Sequence, residues 1–163
     1  MRMERKIFEI CEVALVDLNL LLQWREEVLR CVFHQPEDAD MKELMEANRQ
    51  YYEKAITDGS HIACFAELNG QIAGCGGICF YDEMPSPDNP TGQCAYLMNI
   101  YVRPDHQGRG IGKRIVRWLV GQALSRGIKK IYLETSTCGR HLYESLGFTD
   151  MPDMMHLTYK IDN

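Results

Sequence analysis

The chain has 163 residues and a mass of 18.8 kDa, with 45% hydrophobic and 25% charged residues, the proportions of one domain able to bury a core. The net charge is −5 and the pI about 5.5, which argues against general nucleic-acid binding. The greasiest early stretch is broken by Asp17 and Asn19, and Glu4, Arg5, Lys6 and Glu9 interrupt the N-terminus, so neither a membrane span nor a secretory leader is expected.

Residues 5–13 have strand character and open the domain. In residues 17–33, Leu18, Leu21, Leu22, Arg25 and Leu29 recur at near-helical spacing, and Asp17 is the natural N-cap. Pro36 interrupts, and a second helix is expected over residues 38–57, ended by Asp58-Gly59. Residues 61–68 and 71–81 read as two strands joined by an Asn69-Gly70 hairpin turn. Residues 82–93 hold three of the six prolines and form a loop. Residues 94–102 are almost continuously apolar and read as a central strand buried on both faces.

Then comes the loop Arg103-Pro104-Asp105-His106-Gln107-Gly108-Arg109-Gly110-Ile111-Gly112. Ile111, Ile115, Val116, Leu119, Val120, Ala123 and Leu124 follow it at helical spacing, and Gly127 ends that helix. A strand over 128–136, a short helix over 139–148 and a last strand over 154–161 complete the chain. No linker or internal repeat divides it, so residues 1–163 read as a single domain. The order predicts an α/β (α+β mixed) fold, one twisted mixed sheet with helices on both faces.

Seven cysteines, an odd number without a CxxC pair, read as reduced thiols in a cytoplasmic protein. Cys75 and Cys79 are four apart on an expected strand, where small apolar packing explains them better than metal binding. The five histidines are dispersed, and no metal site is expected.

Charge is uneven. Residues 103–130 carry eight basic side chains against the single acid Asp105. Arg117, Arg126, Lys129 and Lys130 suit a solvated helix face, but Arg109 and Lys113 lie in a glycine loop that opens a helix. Free N–H groups and the helix dipole attract an anion at such a place, and the two cations add charge-assisted contacts. The loop fails as a P-loop, because Gly112-Lys113 is followed by Arg114. It also fails as a dinucleotide fingerprint, because the third glycine comes one residue early.

The loop does match Q/R-x-x-G-x-G/A, as Gln107-Gly108-Arg109-Gly110-Ile111-Gly112. With the flanking strand and helix, and with Leu142-Tyr143-Glu144-Ser145-Leu146-Gly147-Phe148 downstream, residues 94–148 resemble the GNAT superfamily of N-acetyltransferases. The resemblance implies a GNAT domain with a splayed central strand and acetyl-CoA as co-substrate. The pantetheine arm would lie along the backbone of Ile100, Tyr101 and Val102, with the pyrophosphate on Gln107, Gly108, Arg109, Gly110, Ile111, Gly112 and Lys113. Tyr143 matches the tyrosine that faces the CoA sulfur, as a general acid for the departing thiolate.

The base stays open among Glu134, acting directly or through water, Glu26 as a further candidate, and a water chain alone. Asn99 is a polar amide in an apolar strand that needs partners; it and Glu26, on the first helix, are candidates for the acceptor side. Nine acids in residues 26–58, against five bases there and beside it, would favour a cationic amine. The expected reaction is direct acetyl transfer from acetyl-CoA to a primary amine of a small molecule, peptide or protein, with neither nucleic acid nor membrane as partner; a homodimer is compatible with it. The alternatives are another acyl-CoA as donor, or an acetyl-CoA sensor without turnover.

Overall fold

The computed structural model describes residues 6–159. Five strands form one sheet: β1 (Phe8–Glu12), β2 (His61–Leu68), β3 (Gln71–Asp82), β4 (Gln93–Val102) and β5 (Lys130–Leu133), side by side in chain order. The first three pairings are antiparallel and β4–β5 is parallel. The β2–β3 hairpin turns on Asn69 (φ +52°) and Gly70 (φ +80°). Two left-handed residues in succession are what the tight hairpin turn of a right-twisted ribbon requires.

Side chains alternate across this sheet, and each face has its own helices. On one side lie α1 (Leu18–Val32) and α2 (Lys42–Asp58), whose Leu21, Trp24, Val28 and Tyr52 pack on Ala63, Phe65 and Cys75. On the other lies α3 (Ile111–Ser125). Its Ile115, Val116 and Leu119 are fully buried against Ile62, Cys64, Ile78 and Leu97. The short α4 (Arg140–Glu144) adds Leu142 and Tyr143 to the same cluster. Gly76 explains how closely α3 approaches: a Cβ there would lie 2.5 Å from Ile115 Cγ2. The mixed sheet with helices on both faces is the architecture expected from the sequence. No helix among the described residues is long and apolar enough to cross a membrane.

Three expectations need correction. Asp17 occupies the N-cap position of α1 but makes no side-chain capping bond, because a 3-10 turn over Leu15–Asp17 leads directly into the helix. The central strand is buried only near its start: Cys94, Ala95 and Leu97 are buried, whereas 98–102 are half-buried. The third is the last strand. Residues 154–159 form no strand, and Met155, Leu157 and Tyr159 are 98%, 84% and 81% exposed; residues 160 and 161 lie outside the described residues. Their alternation has the strand period, but a strand also needs a backbone partner. The turn at Pro152-Asp153 carries them off the four-residue β5.

Candidate active site

The site begins where β4 and β5 part. Their pairing runs from Cys94↔Lys130 to Leu97↔Leu133 and then stops, while β4 continues to Val102. Past Leu97 the β4 backbone has no neighbour on that side, so Ile100, Tyr101 and Val102 border a wedge. The strand is also kinked there. Asn99 sits at φ +60°, and the β3–β4 register shifts between Cys75 and Gly77, placing one extra residue on β4. A bulge of this kind bends a strand and redirects its side chains.

At the end of β4 the chain makes a 3-10 turn over Pro104–His106 and enters the glycine loop. Gly108 and Gly110 both sit at φ +75°, a conformation that favours glycine, and each is open on its Cβ side. Ile111 is buried and anchors the helix start. The first helical bond runs from the Arg114 N–H to the Gly110 carbonyl, 3.2 Å. The N–H groups of Ile111, Gly112 and Lys113 therefore lack intrahelical acceptors. Arg109 is exposed and Lys113 half-buried, and neither joins an ion pair among the described residues. Gln107 folds back, its Nε2 donating to the Val102 carbonyl at 3.0 Å, which ties the loop to the end of the strand. Gly112 faces α4, where a Cβ would lie 3.4 Å from Leu142.

Tyr143 is half-buried, edge-on to Phe148 with ring centroids 5.8 Å apart. Burial raises its pKa above the usual phenol range, so it holds its proton at neutral pH. Its hydroxyl has no hydrogen-bond partner among the described residues. Glu134, just past β5, is exposed and faces the Tyr96 hydroxyl; burial and this carboxylate together push Tyr96 up. Tyr96 packs on Tyr132 at 5.0 Å, and Tyr132 lies edge-on to Tyr81 at 6.3 Å. These rings line the part of the sheet's α1/α2 face that the helices leave uncovered.

Asn99 finds the partners its burial demands. Its Oδ1 accepts from Arg25 Nη1 at 2.8 Å, and Arg25 Nε donates to Asn48 Oδ1 at 2.9 Å. Glu26 is bound to Arg30 at 2.9 Å, and Arg30 donates to the carbonyls of Pro36, Glu37 and Ala39. Glu26 thus fastens the α1–α2 connection. Glu27 takes both Arg103 contacts, 3.0 and 3.1 Å, and Glu83 holds Lys130 at 2.7 Å. Glu26, Glu27 and Glu83 thus each have their own cation, whereas Glu134 joins no ion pair among the described residues.

Sequence reading missed the role of Arg25, counted only among the bases around the second helix, and the rings of Tyr81 and Tyr132. Strand alternation from Tyr96 would have brought the two tyrosines to its face, but nothing local in the sequence points Arg25 at Asn99. Cys75, weighed as a metal ligand, is instead buried with its thiol 3.5 Å from the Asn99 carbonyl. A cavity of about 950 Å³ runs along the outer side of β5 between α3, α4 and Met151, Met154 and Met155. It borders Tyr143 and Glu134 but lies away from the glycine loop, and it is the space beside β5 that the C-terminal residues leave open.

Comparison with known proteins agrees with this geometry. Residues 21–148 match the model of the acetyltransferase (GNAT) family. Over 105 residues the chain is 30% identical to YjgM of Escherichia coli (strain K12), named an uncharacterized N-acetyltransferase, covering 63% of this chain and 59% of that one. Over 59 residues it is 39% identical to the [ribosomal protein bS18]-alanine N-acetyltransferase of Salmonella typhimurium, covering 34% and 40% of the two chains. The chain therefore matches less than two thirds of these relatives' own length. A solved structure described as a predicted acetyltransferase with acetyl-CoA, from Clostridium acetobutylicum, superposes with a TM-score of 0.82 at 28% identity, covering 93% of this chain and 96% of that one. Matched over most of its length and built with a parted β4–β5 pair beside a glycine loop, the chain belongs to the acetyltransferase (GNAT) family.

Proposed function

We propose that this protein is an acetyl-CoA-dependent N-acetyltransferase that delivers the acetyl group directly to a primary amine. The observation that carries the reading is the continuity of the unpaired β4 edge with the open N–H groups at the start of α3. An extended thioester arm needs backbone to pair with, and its diphosphate needs donors at the far end. Residues 100–102 supply the first and residues 107–113 the second, with Arg109 and Lys113 adding positive charge. A backbone N–H beside Ile100 polarises the thioester carbonyl.

The amine nitrogen attacks that carbonyl, the C–N bond forms and the C–S bond breaks. Glu134, directly or through one water, takes the proton from the amine, with Tyr96 beside it. Tyr143 gives its proton to the sulfur as the C–S bond breaks, and the tyrosinate is reprotonated from solvent. Its raised pKa suits an acid that is protonated at the outset.

The test has two stages. Calorimetric titration with acetyl-CoA is expected to show binding that weakens in R109A. A screen of amines for CoA-thiol release is then expected to find turnover. A chain that ignores acetyl-CoA, or binds it without releasing thiol to any amine class, overturns the assignment.

A further inference from the structure

Arg25 is the cation in the cleft that the fold leaves without a counter-charge. Its Nε and Nη1 are engaged by two neutral amides, Asn48 and Asn99. Among the described residues Nη2 and the second Nη1 hydrogen find no acceptor and the residue joins no ion pair; Nη2 is open to the solvent of the cleft. The nearby ionisable groups do not neutralise it. Tyr51 is pushed up to about 12, Tyr52 is pushed up further and Cys75 to about 12, so all three keep their protons; His61 is pushed down to about 4 and is uncharged. Glu26, Glu27 and Glu83 are bound to Arg30, Arg103 and Lys130, and Glu134, beside Tyr96, makes no ion pair with Arg25 among the described residues.

A partly buried guanidinium pays for lost hydration unless something replaces it. Here α1, α2 and the β4 bulge fix its plane through two hydrogen bonds and leave part of its donor fork free. That pattern is pre-organised for a planar, bidentate anion. Asn99 places the fork one side chain from the backbone that borders the thioester wedge, and the open face beyond is walled by Tyr96 and Tyr132.

We infer that Arg25, oriented by Asn48 and Asn99, binds the carboxylate of a small acceptor whose amine lies a few bonds away, as in a free amino acid. This rests on the acetyl-transfer reading above and narrows it. The amine turns toward the thioester and Glu134, and the side chain lies on the tyrosine rings. A peptide N-terminus lacks a carboxylate at that distance and would leave the fork empty.

The experiment is a thermal-melt titration of the full chain with saturating CoA, using L-tyrosine, L-phenylalanine and L-methionine, each against its carboxamide. At least one free acid is expected to bind about tenfold or more tightly than its amide, the scale of a lost charge-assisted bond. In R25Q that preference disappears, and R25K, which keeps the charge without the fork, retains part of it. The acid-to-amide ratio on the unaltered chain is decisive by itself and does not depend on a variant folding. It is also a quantity that a merely structural arginine would not move. Equal binding of acids and amides, no binding of any acid in the presence of bound CoA, or a preference that survives in R25Q overturns the inference while leaving acetyl transfer intact. A chain whose melt CoA itself does not shift removes both readings together.

Discussion

Leu97 stands opposite Leu133, and that pair is the last that β4 and β5 share. Beyond it β4 runs on for five residues, and the wedge between the two strands is the largest departure of this sheet from a regular ladder. Unpaired backbone exchanges with solvent unless something covers it. Amides within 98–102 that face the wedge are therefore expected to exchange quickly in the free protein and to slow when acetyl-CoA is added, while those of 94–97 stay protected throughout. Hydrogen exchange read by mass spectrometry checks this, and unchanged rates on addition of the co-substrate would place the thioester arm elsewhere.

Tyr143→Phe removes the proposed acid without emptying the space its ring fills. The turnover number is expected to fall by about 10²–10⁴-fold, with acetyl-CoA affinity little changed. The pH dependence carries a sign. Because burial raises the Tyr143 pKa, activity that needs the protonated phenol is present through neutral pH and is lost only as pH rises through that raised value. Steady-state kinetics together with calorimetry on the variant separate the two effects, and a variant with wild-type turnover would remove Tyr143 from the chemistry.

Asn99 combines a left-handed backbone with a side-chain bond to Arg25. Both Asn99→Gly and Asn99→Ala lose the side-chain contacts to Arg25 and Cys75, but alanine keeps a Cβ in the left-handed region without the local polar contacts that let asparagine tolerate it, and glycine relieves it. The alanine variant is therefore expected to be less stable than the glycine variant by about 1 kcal/mol. Urea unfolding of the pair measures the difference, and the opposite order would mean that the bulge relaxes in solution.

His61 is 3% exposed, its Nδ1 lies 2.9 Å from the Tyr51 hydroxyl, and its Nε2 would sit 2.8 Å from any Cβ at position 77. Burial first, then the Arg25 charge, lowers its pKa from 6.5 to about 4. Between those values the unfolded chain binds a proton that the folded one refuses. The contribution is thus complete above about pH 6.5 and is lost as pH falls toward 4, a total of about 3 kcal/mol. Asp58 and Glu83, whose pKa values are also lowered, destabilise in the same direction, so His61→Gln is the control. Its stability is expected to fall less steeply between about pH 6.5 and 4.5, as read by urea unfolding; an unchanged slope would show that His61 titrates normally.

The apolar pattern made most of the elements legible. The β2–β3 hairpin was readable to within a residue because Asn69-Gly70 permits few other turns, and α3 was readable because Ile115, Val116 and Leu119 share one stripe. The last strand was misread for a physical reason. Met155, Leu157 and Tyr159 alternate as strand residues do, but alternation records a side-chain preference and not whether a backbone partner is in reach. The length of β5 was overread too, since pairing stops at Leu133 and the polar residues 134–136 form no strand.

By itself, the sequence determined the glycine loop, because closely spaced glycines opening an amphipathic helix leave main-chain N–H groups facing outward wherever the helix lies. It likewise determined the alternation along β2, with Ile62 and Cys64 on one face and Ala63 and Phe65 on the other. Which charges pair on the α1/α2 face was decided only by tertiary structure. Arg25 and Asn99 are 74 positions apart, and Glu26, Glu27 and Glu83 each meet a cation that only the fold brings to them. Charge composition sums over a segment, whereas recognition depends on which charges remain unpaired after folding, and that is set by distances no local pattern contains.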